Sequence, residues 1–162
     1  MSGKPRVRPV PGDETHTTTG PLAGTVVLDL SRVLSGPICG RALADLGARV
    51  VKVEPPAGDL TRFSVPRHGA ISGYYAQQNS GKQNVSIDLD VPAGRRLLLD
   101  LAARADVVIE NFRPGVCDRL GVGYEAVAAI NPGVVYASIT GFGQTGPWAR
   151  QRAYAVVAHA AS

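Results

Sequence analysis

The sequence predicts an α/β protein: a mainly parallel sheet covered by helices on both faces. Three observations lead there. Short β-branched runs alternate with stretches whose apolar residues recur at helical spacing. The first strand and helix are followed at once by another strand, and the handedness of such connections favours a parallel pair. The 162 residues are enough to bury one sizeable core, so a single domain is expected.

Residues 1–20 mix Pro, Gly, Thr and charge without periodicity and read as a disordered tail with no part in chemistry, leaving residues 21–162 as the folded unit. Gly24 to Leu30 reads as the first strand, and Ser35-Gly-Pro37 supplies an N-cap and an early proline for a helix. Cys39, Ala42, Leu43 and Leu46 form its apolar stripe, Arg41 and Asp45 face out, and Gly47 closes it. Arg49 to Val53 is the second strand, broken off by Glu54-Pro-Pro56. Gly58 to Gly73, with Arg62, Arg67 and His68, shows no pattern and reads as an irregular loop that folds over a site. A short helix through Tyr74, Tyr75 and Gln78 leads to the polar turn Asn79-Ser-Gly-Lys82 and an alternating strand, Asn84 to Leu89, suited to a sheet edge.

Asp90 is placed to cap the next helix, with Pro92 in its first turn. Leu97, Leu98, Leu101 and Ala105 make the buried stripe, and Arg95, Arg96 and Arg104 the solvated face. Asp106 to Ile109 reads as a strand buried on both faces, and Pro114-Gly115 turns the chain into a short helix. Tyr124 to Ile130 is a helix stopped by Asn131-Pro-Gly133, and Val134 to Ile139 is the last strand.

Composition removes several classes of function. A formal net charge of +4 owes part of its excess to Lys4, Arg6 and Arg8, and no DNA- or RNA-binding motif appears, so no nucleic-acid partner is expected. Cys39 and Cys117 are the only cysteines, too few for a disulfide framework or a zinc cluster, which fits a reducing cytoplasm and no metal. No apolar run approaches a membrane span, and residues 1–20 lack the apolar core of a signal peptide. A soluble, cytoplasmic protein is the expectation.

The strand end after Ile109 is the candidate site, because it presents Asn111, Phe112, Arg113 and Arg119 at one rim. In an open α/β sheet ligands bind at the carboxyl ends of the strands. Two guanidinium groups beside an aromatic ring suit an anion that also has a flat face, such as a nucleotide. Two solvated arginines on a loop are the plainer reading of the same residues. Gly141-Phe-Gly-Gln-Thr-Gly146 matches the dinucleotide-binding glycine pattern in letters only. Pro147 delays the helix that would cradle a pyrophosphate, and no later strand carries the acidic residue that the pattern requires, so nicotinamide and flavin are not expected.

Several ordered stretches resemble one family. Gly24-Thr-Val-Val-Leu-Asp-Leu-Ser-Arg-Val-Leu-Ser-Gly-Pro37, Leu46-Gly-Ala-Arg-Val-Val-Lys-Val-Glu-Pro55, Asn79-Ser-Gly-Lys82, Glu110-Asn-Phe-Arg-Pro-Gly115, Asp118-Arg-Leu-Gly121 and Thr140-Gly-Phe-Gly-Gln-Thr-Gly-Pro147 are similar to the family III CoA-transferases, from about Pro21 onward. The resemblance implies a Rossmann-like amino-terminal portion, incomplete relative to the family. It implies coenzyme A or acyl-CoA as substrate, with no permanently bound cofactor, and exchange of a CoA thioester between carboxylic acids. It also implies a homodimer of interlinked chains, or a partner chain that supplies the missing half. Carried over residue by residue, Val33 lies in a loop that meets CoA, Asn111 and Phe112 match strand-end CoA contacts, and Arg119 matches a basic residue at the CoA phosphates. Arg113 and Lys82 are further phosphate partners by position.

Two departures accompany the likeness. The resemblance implies an aspartate nucleophile in a Tyr-Asp or His-Asp pair, whereas Tyr154 is here followed by Ala155, and a methyl group cannot attack a thioester. His159, one turn on, reads as structural. Family members are also more than twice as long. A truncated or split transferase is the leading expectation, and a catalytically silent CoA-binding or oligomerisation module paired with a full-length relative is the alternative.

Overall fold

A computed structural model describes residues 19–154 together with Val157 and Ala160. Most of the expected tail, and the expectations about Ala155 and His159, lie outside the described residues. Five strands form one parallel sheet: β1 (Val26–Asp29), β2 (Arg49–Glu54), β5 (Gln83–Ser86), β6 (Val107–Glu110) and β7 (Val135–Ser138), in spatial order β5-β2-β1-β6-β7. The registers pair Leu28 with Val51 and Val108, and Val108 in turn with Tyr136. The α/β parallel expectation therefore holds, and the alternating strand does sit at an edge.

Helices cover both faces. α1 (Ser35–Asp45) packs Cys39, Leu43 and Ala44 onto Val27, Val50 and Ile109. The opposite face of the sheet, with Leu28, Val53 and Val108, receives Leu98 and Ala102 of α3 (Pro92–Ala102), Cys117 of α4 (Val116–Arg119) and Val127 of α5 (Tyr124–Ile130). A fully buried Val or Leu contributes about 1.5–3 kcal/mol, so these two apolar layers hold the sheet.

Several local expectations change. Ser35 is the first residue of α1 and not its cap, which is Leu34, with no side-chain cap bond. The stripe of α1 is rotated: Leu46 is 46% exposed and Ala42 is exposed, while Gly36, Pro37 and Gly40 face the protein. Glycine leaves room that an apolar pattern does not reveal. A Cβ on Gly40 would lie 2.6 Å from Asp29 Oδ2, and one on Gly36 only 2.1 Å from Ser31 Cβ. Asp90 does not cap α3, which begins after Val91, and Leu97 is exposed on its outer side. The stretch read as an irregular loop holds a 3-10 turn (Leu60–Phe63), the hairpin β3 (Arg67–His68) and β4 (Ile71–Ser72), and the start of α2 (Gly73–Asn79). No helix among the described residues is long and apolar enough to cross a membrane.

Candidate functional site

The strand order fixes where a ligand can enter. From β1 the chain builds outward through β2 to β5, then α3 carries it back to lay β6 on the other side of β1. The order in which strands are added therefore reverses between β1 and β6, and in open α/β sheets the crevice beyond the strand ends at this reversal is the binding position. Here it is flanked by the turn after β1, residues 30–34, and by Asn111 to Arg113 after β6.

A groove of about 280 Å³ opens there, with Leu30, Val53, Ile87 and Phe112 as apolar wall, Arg32 and Arg119 as cations and Glu54, Asp88 and Asp90 as acids. Arg32 lies over the Phe112 ring with its guanidinium carbon 4.9 Å from the centroid, a cation–π contact. The Phe112 amide donates to Glu110 Oε2 at 2.8 Å, which orients the ring's backbone. Cys117 is buried below the groove. Burial and the neighbouring Glu110 charge push its thiol up to about 12, so it supplies no thiolate.

The turn after β1 is held at five successive backbone atoms. The Ser31 amide donates to Asp29 Oδ1 at 3.0 Å, and the Ser31 carbonyl accepts from Lys52 Nζ at 2.7 Å. The Arg32 amide donates to Asn111 Oδ1 at 2.7 Å, and its carbonyl accepts from Asn111 Nδ2 at 2.8 Å. The Val33 amide donates to Asp59 Oδ2 at 3.2 Å. Val33 itself has φ +68°, the only positive φ outside glycine among the described residues. A β-branched side chain in that region costs on the order of 1–3 kcal/mol and persists only where the surroundings fix it.

Behind the turn runs a buried charge network. Lys52 and Asp59, each 1% exposed at the side chain, stand 3.5 Å apart. Glu54 ends β2 with both oxygens occupied: Oε2 accepts from Arg62 Nε at 2.6 Å and the Asp59 amide at 2.9 Å, and Oε1 from Arg62 Nη2, the Tyr75 hydroxyl and Asn84 Nδ2. Burial alone would raise its pKa, but the Arg62 and Tyr75 hydrogen bonds outweigh that and hold it at about 2. The Arg62 guanidinium also lies 4.0 Å from the Tyr75 ring centroid.

Of the expected site residues, Phe112 and Arg119 line the groove, while Val33 and Asn111 belong to the turn after β1 and the strand end that flank it and are not in its lining. Arg113 is exposed after β6 and does not line the groove. Lys82 requires a correction. Its Nζ donates to Asp29 Oδ2 at 2.8 Å, Pro37 O at 2.8 Å and Asn79 Oδ1 at 2.9 Å, which uses all three donors inside the protein. The side chain is 1% exposed, so it has no donor for a phosphate and serves as a structural counter-ion. Burial lowers its pKa, against the opposing pull of Asp29. Arg32 was missed because an arginine between two hydrophobic segments carries no periodic signal. A second hollow of about 320 Å³ between β4 and α2 shares no lining residue with the groove.

Fold and crevice together define the class of open parallel α/β sheets with a groove beside the point where the strand order reverses, its lining shared by Arg32, Arg119, the Phe112 ring and the carboxylates of Glu54, Asp88 and Asp90. Comparison with known proteins narrows the class. The model of the family "CoA-transferase family III" matches residues 22–162, and the chain belongs to that family. It is 48% identical over 144 residues to the acetyl-CoA:oxalate CoA-transferase of Acetobacter aceti, covering 88% of this chain and 37% of that protein. It is 45% identical over 144 residues to the human succinyl-CoA:glutarate CoA-transferase, covering 88% of this chain and 33% of that protein. A crystal structure of a CAIB/BAIF family protein from Brucella suis superposes with a TM-score of 0.80 at 46% identity, over 83% of this chain and 37% of the other. The chain thus spans about a third of the length of the curated relatives it matches.

Proposed function

We propose that this chain binds the CoA part of an acyl-CoA in the groove between the turn after β1 and the strand end at Asn111, as the amino-terminal portion of a family III CoA-transferase. The observation that carries the reading is the junction of the two strand ends by Asn111, with Arg32, Phe112 and Arg119 facing one hollow. CoA bears a diphosphate and a 3′-phosphate that favour arginine, and an adenine that favours a flat or apolar neighbour. Arg113 lies near enough along the chain to add a long-range cation.

The reaction of the whole protein is then exchange of CoA between an acyl-CoA and a carboxylic acid. The acid is of the short dicarboxylate class, since relatives are named for oxalate, glutarate, malate and mesaconate. These 162 residues bind the thioester without taking its acyl group. Three acids line the groove: Glu54 has both oxygens occupied, Asp88 spends one on the Asp90 amide at 2.9 Å, and neither Asp88 nor Asp90 lies at the position matched to the family's aspartate. Ala155, at the position matched to the family's aspartate, offers no carboxylate, and a second chain or further residues complete the centre.

Calorimetry with CoA and with NAD tests the binding, and hydroxylamine trapping with intact-mass spectrometry tests the chemistry. CoA should bind, NAD should not, and no aspartyl or glutamyl hydroxamate should form from acyl-CoA. Equal affinity for both ligands, or a hydroxamate on this chain, overturns the corresponding half of the reading.

A further inference from the structure

We propose that Asp59 is the positioning residue that holds Val33 in its left-handed conformation, so that the turn after β1 is already shaped for CoA before CoA arrives. The inference rests on the CoA-binding reading above.

Asp59 looks at first like a simple cap. Its Oδ1 accepts from the Thr61 amide at 2.9 Å and from the Thr61 hydroxyl at 2.8 Å, which begins the 3-10 turn. Asparagine, serine or threonine can do that without burying a charge. The second oxygen is what a neutral cap lacks. Oδ2 faces the Val33 amide at 3.2 Å and Lys52 Nζ at 3.5 Å, with Asp59 1% exposed. A carboxylate so deeply buried needs a cation, and Lys52 is that cation. Lys52 in turn donates to the Ser31 carbonyl, so the same ion pair grips the turn at residue 31 and at residue 33.

The carboxylate is itself aimed from behind. Its own amide donates to Glu54 Oε2, and Glu54 is locked by Arg62, Tyr75 and Asn84. A chain of contacts therefore runs from α2 and β5 through Glu54 and Asp59 to the strained residue at the crevice. Strain at a ligand-facing turn is held by its surroundings, and a turn ordered in advance spares the ligand the entropy of ordering it.

Four chains test the proposal: wild type, Asp59→Asn, Val33→Gly and the double variant. Thr61, with two donors, keeps the asparagine oxygen, so the new N–H₂ group falls opposite the Val33 amide and Lys52. Glycine adopts positive φ freely and has no need of the clamp. Asp59→Asn should weaken CoA binding by roughly tenfold in the wild-type background and by less than about twofold in the Val33→Gly background. Hydrogen exchange at the amide of residue 33, measured without ligand, should be faster in Asp59→Asn. Equal loss of affinity in both backgrounds, with exchange at residue 33 unchanged, makes Asp59 a loop cap and overturns the proposal. Should Asp59→Asn fail to fold, Asp59→Ser keeps an oxygen for Thr61 but is too short for Val33, and carries the same expectation. If the wild type binds no CoA, the functional reading fails, and the exchange measurement alone decides whether the clamp exists.

Discussion

Asn111 makes two hydrogen bonds to one residue, Arg32: its Oδ1 accepts from the Arg32 amide at 2.7 Å and its Nδ2 donates to the Arg32 carbonyl at 2.8 Å. Parallel strands β1 and β6 have by then stopped pairing, with Leu30 donating to Ile109 O as the last backbone bond between them. The amide side chain continues the ladder by one rung across the point where the strand order reverses. That rung closes the floor of the crevice.

Removing the rung should loosen both strand ends. Asn111→Ala gives up three hydrogen bonds, the two to Arg32 and one to Ser35 Oγ at 3.3 Å, about 1.5–4.5 kcal/mol of stability, read from the midpoint of urea unfolding. Asn111→Asp keeps the acceptor for the Arg32 amide but sets a charged acceptor against the carbonyl, so it should recover none of the loss. Wild-type stability in Asn111→Asp would count against the two-way bridge.

Lys82 and Arg119 should separate cleanly. Lys82→Ala leaves the Asp29 carboxylate buried without its counter-ion, a loss on the order of 3–5 kcal/mol, visible as a large fall in Tm. Restoring a cation one methylene shorter, with ornithine by semisynthesis, should return most of it. A stable Lys82→Ala protein would refute the structural assignment.

Arg119→Ala should leave Tm near wild type, because the side chain is exposed. CoA affinity should fall by roughly ten- to a hundredfold, the worth of one charge-assisted contact. Arg113→Ala, outside the groove lining, should cost less. Calorimetry at two salt concentrations measures both, and identical losses would place the phosphates elsewhere.

Glu54 sets an acid limb of stability. Its folded pKa of about 2 lies below the ordinary 4.5, so the unfolded chain binds the proton more readily. The contribution is complete above pH 4.5 and is lost as pH falls from there towards 2. Glu54→Gln should therefore be less stable than wild type at neutral pH and flatter across that window, as followed by urea midpoints against pH.

Much of the fold was legible because β-branched runs such as Val26-Val-Leu28 and Val107-Val-Ile109 have few alternatives to a buried strand. Breaks such as Pro55-Pro56 and Asn131-Pro132 bounded them. The face of α1 was misjudged because Gly36 and Gly40 bury backbone and leave no apolar letter to count. Beside the groove, Asn111 and Phe112 were readable as a strand end and Arg119 as part of the short helix that follows it. Lys82 was not, because its partner Asp29 lies 53 positions away, and a lysine in a polar turn looks the same whether it faces a ligand or a buried carboxylate. The roles of Asp29, Lys52, Glu54 and Asp59 were hidden for the same reason: polarity in a sequence says nothing about pairing across the fold.

The turn at residues 31–33 is fastened largely through its main chain, with only the Ser31 hydroxyl adding a side-chain bond, and this has an evolutionary reading. Contacts to amides and carbonyls are indifferent to the side chains they carry. A descendant can exchange Arg32 or Leu34, the latter 39% exposed, and keep the path of the chain. Changes at Asn111, Lys52 or Asp59 disturb that path while touching no exposed surface of the turn. Exchange is thus open at the exposed positions 32 and 34, and closed at buried Ser31, whose hydroxyl bonds Asp29, and at the residues that hold the turn.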